Sequence, residues 1–270
     1  MTTITDSRSG DGPVGSGPAR SVTAAGEQTA EGSRAPYRLR LAADDRDLRA
    51  AQLLRFMVFN LELREGLEQS YATCLDADAF DAVCDHLVVE DVRTNEIVGT
   101  YRLHTGQRAA QNLGYYSAQE FDFKPFESLR SQLVEVGRAC VHSEHRNLTV
   151  LTLLWKGIAH YMKERGCRYV FGCSSLTSQD PAVGWAAYHK LQPYLVADEW
   201  RTTPLPAYAC PQDGNAAPPP KIPKLLTAYL MLGAKICGPP AIDREFKTID
   251  FLTFLDMYSM PEKAIARYLS

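Results

Sequence analysis

The chain has 270 residues, with 29 basic and 32 acidic side chains, a formal net charge of −3 and 45% hydrophobic residues. This length allows one large domain or two small ones, and the composition is that of a globular protein with a sizeable core. The near-neutral charge lacks the strongly basic footprint of most nucleic-acid-binding proteins, so we expect no nucleic-acid partner.

The first 36 residues differ in composition from the rest of the chain. They contain no Phe, Tyr, Trp or Leu, and small and polar residues dominate them. Because such a segment cannot bury enough apolar surface to offset its ordering entropy, we predict that residues 1–36 form a disordered tail. A core domain over residues 37–201 then begins with a short strand, Tyr37–Leu41.

Helix and strand patterns alternate through this core. Asp44 or Asp45 can cap a helix whose apolar residues recur every three or four positions to Leu61. Residues 85–91 and 97–104 predict two strands joined as a hairpin. Ser117 and Glu120 predict a capping box that opens a short helix. The remaining predictions are a strand over 132–141, a helix over 148–165, a strand over 168–173, and a helix over 181–191 capped by Asp180.

The C-terminal part begins with a proline-rich segment. Residues 202–224 hold seven prolines and predict an irregular loop. Residues 225–270 then predict an extension that completes the domain, with a hydrophobic helix over 225–236, a strand over 247–255 and a short terminal helix. Strands interleaved with helices predict an α/β fold with a mixed sheet flanked by helices. The glycine motifs of dinucleotide-binding and P-loop proteins are absent from the sequence.

Cysteine usage bears on compartment and on metal binding. The seven cysteines include no CxxC pair, which argues against a disulfide framework or a zinc ribbon and is typical of a reducing cytoplasm. Cys140, His142 and His145 have plausible ligand spacing but lack a convincing fourth ligand, so no metal is predicted. No signal peptide or membrane span is recognisable, and a cytoplasmic location is expected.

Three charged residues interrupt apolar strands. Glu135 and Arg138 lie in the strand over 132–141, and Arg102 lies in the strand over 97–104. Strict alternation would place Glu135 and Arg138 on opposite faces, but Gly137 between them predicts a β-bulge that brings both to one face. Because buried charges are costly unless paired, these residues form either a functional site or a structural Glu–Arg bridge.

A second charged group follows the first helix. Arg55 and Phe59 lie four residues apart on one helix face, and Asp76, Asp78 and Asp81 follow in the next loop. The alternative interpretation of these aspartates is a solvated acidic loop with helix-capping residues. A calcium loop is disfavoured because its remaining ligand positions are missing.

A series of short motifs, in order over residues 37–260, resembles one bacterial family, the N-acyltransferases that make lyso-ornithine lipid with acyl carrier protein as the acyl donor. More distantly, the charged residues of the two groups above resemble the signature of the acyl-homoserine-lactone synthases, and both families are similar to the GCN5-related N-acetyltransferase fold. The motifs are LRFMVF (54–59), DADAFDAVCDHLVV (76–89), VGTYRL (98–103), GYYSAQEFD (114–122), EVGRACV (135–141), LLWKGIA (153–159), FGCSS (171–175) and YLMLGAKICGPPAIDREFKTIDF (229–251).

The resemblance implies the fold, the reaction and the donor. Acetyl-CoA-dependent members of that fold bind a pyrophosphate in a glycine-rich loop, whereas residues 143–149 of this chain contain no glycine. A carrier protein presents only a phosphopantetheine arm, so this departure fits a carrier-protein donor, and amides at a helix N-terminus can still hold its single phosphate. No cofactor beyond the donor's own arm is expected.

The resemblance also suggests a role for each charged residue in transfer of a 3-hydroxyacyl group to the α-amine of L-ornithine. That amine is largely protonated at neutral pH, so a base is needed, and we expect Glu135 to act directly or through a water with Arg138 orienting it. Backbone N–H groups where the strand over 132–141 diverges from the strand over 168–173 would stabilise the oxyanion of the tetrahedral intermediate. The other expectations are that Arg102 or Arg55 pairs with the ornithine carboxylate, that Asp76, Asp78 or Asp81 receives the δ-ammonium, and that Phe59, Trp155 and the 225–236 helix line the acyl-chain groove.

Several alternatives stay open at this point. The acceptor could be another amino acid, or the chain could be an acyl-homoserine-lactone synthase, although residues 202–270 count against the latter. A catalytically silent acyl-binding protein is a third interpretation. The 225–236 helix, with Lys221, Lys224 and Lys235 beside it, suits either peripheral contact with the inner membrane or packing into the core. Candidates for docking the acidic carrier protein are Arg130, Arg146, Lys156 and Arg168.

Overall fold

An eight-stranded mixed sheet organises the part of the chain that the computed structural model describes, residues 36–212, 214 and 217–268. The strand order is β1-β2-β3-β4-β5-β8-β6, with β7 also paired to β8. Strands β4 and β5 pair in parallel, and the other pairings are antiparallel. The strands are β1 Tyr37–Leu41, β2 Asp85–Asp91, β3 Glu96–Thr105, β4 Leu133–Val141, β5 Tyr169–Leu176, β6 Lys235–Ile236, β7 Ala241–Asp243 and β8 Thr248–Asp256.

Seven α-helices accompany this sheet within the described residues. No helix there is long and apolar enough to cross a membrane. The predicted tail lies outside the described residues apart from Pro36. The helices are α1 Asp45–Phe56, α2 Ser70–Thr73, α3 Gly106–Gln111, α4 Leu148–Glu164, α5 Pro181–Leu191, α6 Lys224–Met231 and α7 Glu262–Tyr268.

Helices α1 and α4 cover opposite faces of the sheet. Leu154, Trp155 and Ile158 of α4 belong to the same buried cluster as Leu103 and Val134. The alternate residues of β3 and β4 point to the other face, where Leu54 of α1 packs with Cys140. Helix α1 begins as predicted, because the Asp44 side chain accepts a hydrogen bond from the Asp47 amide, and it continues into a π-helical turn over Met57–Glu62.

Strands β4 and β5 diverge partway along their length, and the candidate active site lies at the gap between them. They pair only over residues 133–135 and 169–171, whereas β5 pairs with β8 on its other side along its whole length, residues 169–176. Gly172 marks the point of departure, since a Cβ there would lie 2.1 Å from the Val136 carbonyl oxygen. Only glycine allows the two backbones to approach this closely before they diverge.

The predicted β-bulge in β4 is confirmed. Thr100 faces Cys140 and Arg102 faces Gly137, so two residues of β4 oppose one of β3. Arg138 lies in this bulge with a left-handed φ of 51°, a conformation that costs a non-glycine residue about 1 kcal/mol. The bulge brings Glu135 and Arg138 to the same face, where both contact Tyr116.

Two local predictions are wrong. The helix expected over 225–236 ends at Met231, because Gly233 turns the chain with a φ of 98° and Lys235–Ile236 then gains pairing to β8. The capping box at Ser117 is also absent: the Ser117 hydroxyl donates to Glu135 across the fold instead of capping its own turn, Ser117–Gln119.

Candidate active site

A cavity of about 330 Å³ passes through the gap between β4 and β5 and is lined by residues from both faces of the sheet. At the face covered by α1 its walls are charged and polar, and at the face covered by α4 they are largely apolar. The charged and polar walls include Arg102, His104, Glu135, Arg138, Asp243 and Asp250, and the apolar walls include Trp155, Leu225, Leu226, Tyr229 and Leu255.

Three arginines and three aspartates form a buried ion-pair network beside the charged end. Arg55 binds Asp76 at 2.9 Å and Asp81 at 2.6 Å. Arg102 bridges Asp78 at 2.6 Å and Asp81 at 3.1 Å. These residues, with Arg138, which binds Asp76 at 3.2 Å and Asp78 at 3.0 Å, are called the arginine–aspartate network below.

The network is balanced internally, which bears on the predicted ligand roles. Arg55 and Asp76 have no exposed side-chain surface, and neither lines the main cavity. Burial works to raise the pKa of Asp81, but the Arg55 and Arg102 guanidiniums outweigh it and hold that pKa below its usual value. The structure thus gives Asp76, Asp78 and Asp81 arginine partners in place of a substrate ammonium. It likewise gives Arg55 aspartate partners in place of a substrate carboxylate.

Glu135 lies at the charged end of the cavity and is held by three donors. Its carboxylate accepts hydrogen bonds from the Tyr116 amide at 2.8 Å, the Ser117 amide at 2.7 Å and the Ser117 hydroxyl at 2.6 Å. Burial raises the pKa of Glu135 despite these bonds. The expectation that Arg138 orients Glu135 is corrected, because Tyr116 and Ser117 do so while the Arg138 guanidinium lies on Asp76 and Asp78.

His104 is a cavity residue that the sequence analysis missed. It faces Glu135 across the β3–β4 register, and neither of its ring nitrogens has a hydrogen-bond partner among the described residues. Burial lowers the pKa of His104 to about 4, so the imidazole is neutral at pH 7. The signal available in the sequence was its position two residues after Arg102, which alternation places on the same face.

Three further buried carboxylates lie where the structure brings β7 and β8 against the Ser117–Gln119 turn. We call Glu120, Asp243 and Asp250 the carboxylate cluster; one side-chain oxygen from each residue lies within 4.8 Å of the other two. Each residue is at most 5% exposed. Such a set could hold a cation, and nothing in the sequence analysis pointed to it.

The two predicted acyl-chain residues lie at different ends of the cavity. Trp155 is buried at the apolar end, edge-on to Tyr229 of α6. There the Tyr229 hydroxyl also meets the Tyr101 hydroxyl in a buried pair. Phe59 lies at the charged end, where it packs edge-on against Phe246.

The connection from β4 to α4 is polar and internally bonded. The Asn147 side chain caps α4 by accepting from the Val150 amide at 3.0 Å. Arg146 binds Glu62 through both terminal nitrogens, at 2.5 and 2.6 Å. Among the other predicted docking residues, Arg130 pairs with Glu127, Arg168 pairs with Asp256, and Lys156 is exposed.

Comparisons with known proteins agree with this architecture. Residues 54–156 match the family model described as an acetyltransferase (GNAT) domain. Over 241 residues the chain is 34% identical to an L-ornithine N(alpha)-acyltransferase of Rhodobacter capsulatus, covering 84% of this chain and 92% of that one. A protein of the same name from Brucella abortus is 34% identical over 255 residues, covering 86% and 87%.

Two solved structures share the fold at low sequence identity. The structure of the AHL synthase LasI has a TM-score of 0.50 and 12% identity, covering 87% of this chain and 95% of that chain. FeeM, an N-acyl amino acid synthase from uncultured soil microbes, has a TM-score of 0.52 and 11% identity, covering 83% and 93%. These two likenesses concern the fold, and the predicted mixed α/β architecture flanked by helices is confirmed.

Proposed function

Because the chain belongs to the L-ornithine N(alpha)-acyltransferase family, and is therefore an acyltransferase, we propose that it transfers a 3-hydroxyacyl group from acyl carrier protein to the α-amine of L-ornithine. The observation that carries this proposal is the cavity through the sheet, which is charged at one end and apolar at the other. An amino acid can enter the charged end while an acyl chain occupies the apolar end, and the two meet where β4 and β5 diverge.

The β4–α4 connection supports a carrier-protein donor over a free nucleotide thioester. Residues 143–149 contain no glycine, and the Asn147 side chain already occupies the Val150 amide at the start of α4. Few free amides are left for a pyrophosphate, but a phosphopantetheine arm needs to anchor one phosphate only. No cofactor beyond that arm is proposed.

The apolar end offers a place for the acyl chain and its 3-hydroxyl. Trp155, Leu226 and Leu255 supply apolar walls. The paired hydroxyls of Tyr101 and Tyr229 are polar groups in this otherwise apolar region. A hydroxyl on the third acyl carbon can exchange hydrogen bonds with them, whereas an unsubstituted chain would leave the pair as it is.

The reaction proposed here is aminolysis of a thioester. The neutral α-amine attacks the carbonyl carbon, the carbon–sulfur bond breaks, and the phosphopantetheine thiolate leaves and takes up a proton. Glu135 accepts the proton that the amine loses, through a water, since one lone pair of the oxygen bonded to Tyr116 stays open. Backbone N–H groups at the divergence of β4 and β5 stabilise the oxyanion. Arg102 lines the cavity and binds Asp78 and Asp81 through Nη1, so its Nη2 is the network donor placed to meet the substrate carboxylate.

A thiol-release assay tests the proposal. Purified protein is incubated with 3-hydroxyacyl carrier protein and a panel of amino acids, and the product is identified by mass spectrometry. We expect ornithine-dependent thiol release with formation of the α-N-acyl product. Thiol release with another amino acid or with S-adenosylmethionine, but not with ornithine, would show that the proposed acceptor is wrong. Release from acyl-CoA but not from acyl carrier protein would show that the proposed donor is wrong. No release would favour a silent acyl-binding protein.

We further propose peripheral contact with the membrane surface through α6. Leu225 and Met231 are exposed on this helix, and Lys224 is exposed at its start. Exposed apolar residues beside lysines suit a helix that lies in an anionic lipid interface. Sedimentation with anionic vesicles should fall when Met231 is replaced by Glu, and equal sedimentation of this variant and the wild type would refute the contact.

A further inference from the structure

The carboxylate cluster is assembled from three separate segments of the chain. Glu120 follows the Ser117–Gln119 turn, Asp243 ends β7, and Asp250 lies on β8. The Asp243 carboxylate is fixed by the Glu245 and Phe246 amides at 2.8 and 2.9 Å. Asp250 accepts from the Thr248 hydroxyl at 3.2 Å. The β7–β8 hairpin therefore holds two of the three carboxylates in place.

The cluster differs from an ordinary buried acidic group because no basic side chain of the described residues is paired with it. No ion pair joins Glu120, Asp243 or Asp250 to a basic side chain within 36–212, 214 and 217–268. Asp250 is 3% exposed, its Oδ1 atom has no hydrogen-bond partner among the described residues, and the residue lines the cavity. A buried polar atom without a partner is unfavourable, and a ligand donor that reaches it removes the deficit.

Electrostatics give the same result. Burial, reinforced by the charges of Asp250 and Asp243, raises the pKa of Glu120 well above its usual value. Burial likewise raises the pKa of Asp250 to about 6. Arg138, whose charge acts on Glu120, is already bound to Asp76 and Asp78. The raised pKa values mean that the cluster retains protons that a bound cation would displace.

The spacing of the oxygens matches a primary ammonium. Oxygens at most 4.8 Å apart leave room for one nitrogen at about 2.8 Å from each, the length of a charge-assisted N–H···O bond. An alkylammonium carries three N–H donors, one for each carboxylate. The cavity walls formed by Asp243 and Asp250 connect this position to the space beside Glu135.

Given the proposed function, on which this inference rests, we propose that Glu120, Asp243 and Asp250 bind the δ-ammonium of ornithine and so select the acceptor. The Ser117 hydroxyl bonds Glu135 at 2.6 Å, and the Cys173 thiol joins Ser117 at 3.4 Å and Glu120 at 3.8 Å. Glu135 and the cluster are thus close neighbours. Ornithine, whose two amino nitrogens are separated by about 6 Å when extended, can reach both. This cluster takes the role that the sequence analysis assigned to Asp76, Asp78 and Asp81.

The test compares ornithine with L-norvaline, which has the same carbon chain but no δ-amine. Wild type, Asp250→Asn and Glu120→Gln are assayed with both acceptors and the same acyl carrier protein thioester. We expect each substitution to lower kcat/KM for ornithine at least about 30-fold, chiefly through KM, because a buried charge-assisted contact is lost. We expect norvaline to change less than threefold. Asp198→Asn, which removes an exposed carboxylate outside the cavity, should change neither.

The outcomes separate this inference from the proposed function. If both acceptors lose activity equally, or neither does, the cluster does not recognise the δ-ammonium, whereas wild-type turnover of ornithine would still support the proposed function. Absence of ornithine turnover by wild type would overturn the function itself. Calorimetric titration with calcium, magnesium and ornithine is the second readout: a divalent ion that binds wild type stoichiometrically but not Asp250→Asn would assign the cluster to a metal. Ornithine binding that is lost in Asp250→Asn would support the ammonium.

Discussion

The arginine–aspartate network and the carboxylate cluster each contain three acidic side chains in the protein interior, but only those of the network are paired with basic side chains. In the network, Asp76, Asp78 and Asp81 are matched by three arginines. In the cluster, three carboxylates share one site, and no basic side chain among the described residues pairs with them. A charge set that is complete in itself stabilises the fold, whereas an incomplete set calls for a ligand.

The largest expected effect comes from unbalancing the network. Arg55→Met removes the cation from Asp76 and Asp81 while keeping much of the side-chain volume. We expect the free energy of unfolding to fall by roughly 3–5 kcal/mol, because two carboxylates are left buried with fewer partners. Urea denaturation measures the change. Arg38→Met, at a residue with a 59% exposed side chain paired to Glu90, should cost under about 1 kcal/mol; equal losses in the two variants would show that the network is not a structural unit.

The charge of Glu135 is compensated less than that of the network and more than that of the cluster. It accepts three hydrogen bonds but has no ion pair among the described residues. If Glu135 is the base, Glu135→Gln should lower kcat about 100-fold and leave KM for both substrates within threefold. The measurement is steady-state thiol release from pH 6 to 9, with thermal unfolding as a check on folding. Glu96→Gln, at an exposed position on β3, is the matched control. Turnover within threefold of wild type across this range would exclude the base role.

Removing a charge from the cluster is expected to stabilise the protein at pH 8, whereas removing a charge from the network is expected to destabilise it. The pKa of Asp250 is about 6 in the folded protein against 3.8 for a free carboxyl, so the folded state holds the proton more tightly. The free energy of unfolding should therefore fall as the pH rises from about 4 to above 6, by on the order of 3 kcal/mol.

Asp250→Asn should remove the Asp250 contribution to this pH dependence, while that of Glu120 remains, and the variant should be more stable than wild type at pH 8. Urea denaturation at pH 4.5 and pH 8 measures it, with Asp198→Asn expected to follow wild type. Added ornithine should raise the free energy of unfolding of the wild type at pH 8, because its cation binds the ionised cluster of the folded state. Parallel pH profiles for wild type and Asp250→Asn would mean that Asp250 does not carry the unbalanced charge.

The smallest effect is expected at the neutral hydroxyl pair. Tyr101→Phe removes one partner of Tyr229 at the apolar end of the cavity. If the pair binds the acyl hydroxyl, the preference for 3-hydroxyacyl over unsubstituted acyl thioesters should fall about fivefold, the value of one hydrogen bond. Competition between the two thioesters measures this preference. The control variant Tyr161→Phe removes a buried hydroxyl that binds Asp85 outside the cavity. An equal fall in the preference in this variant would mean that the Tyr101–Tyr229 pair does not recognise the acyl hydroxyl.

The sequence predicted the elements with strong periodicity well. Strands β1 and β2 have the predicted ends, Asp180 caps α5 as predicted, and the bulge beside Gly137 is present. These features depend on neighbouring residues, so local patterns suffice to find them. The end of α6 was missed because the gain in pairing of β6 to β8 is a tertiary effect.

The carboxylate cluster shows why long-range sites are harder to find. Glu120 lies more than a hundred residues before Asp243 and Asp250, and its spacing from Ser117 mimicked a capping box. One signal was available: Asp250 interrupts the apolar strand TIDFLTFL, by the same logic that singled out Glu135 and Arg102. Which of these strand charges finds a partner depends on folding, and the sequence alone does not determine it.

The origin of the cluster within the chain has a consequence for how acceptors change. Residues 54–156, which match the acetyltransferase family model, contain Glu135 and the whole arginine–aspartate network. Asp243 and Asp250 lie outside that segment, on the β7–β8 hairpin. Glu120, the third member of the cluster, lies inside the matched segment. Under the proposal, two of the three carboxylates that select the acceptor are thus encoded outside the segment that carries Glu135, and exchanging the β7–β8 hairpin changes those two while leaving Glu120 and Glu135 in place.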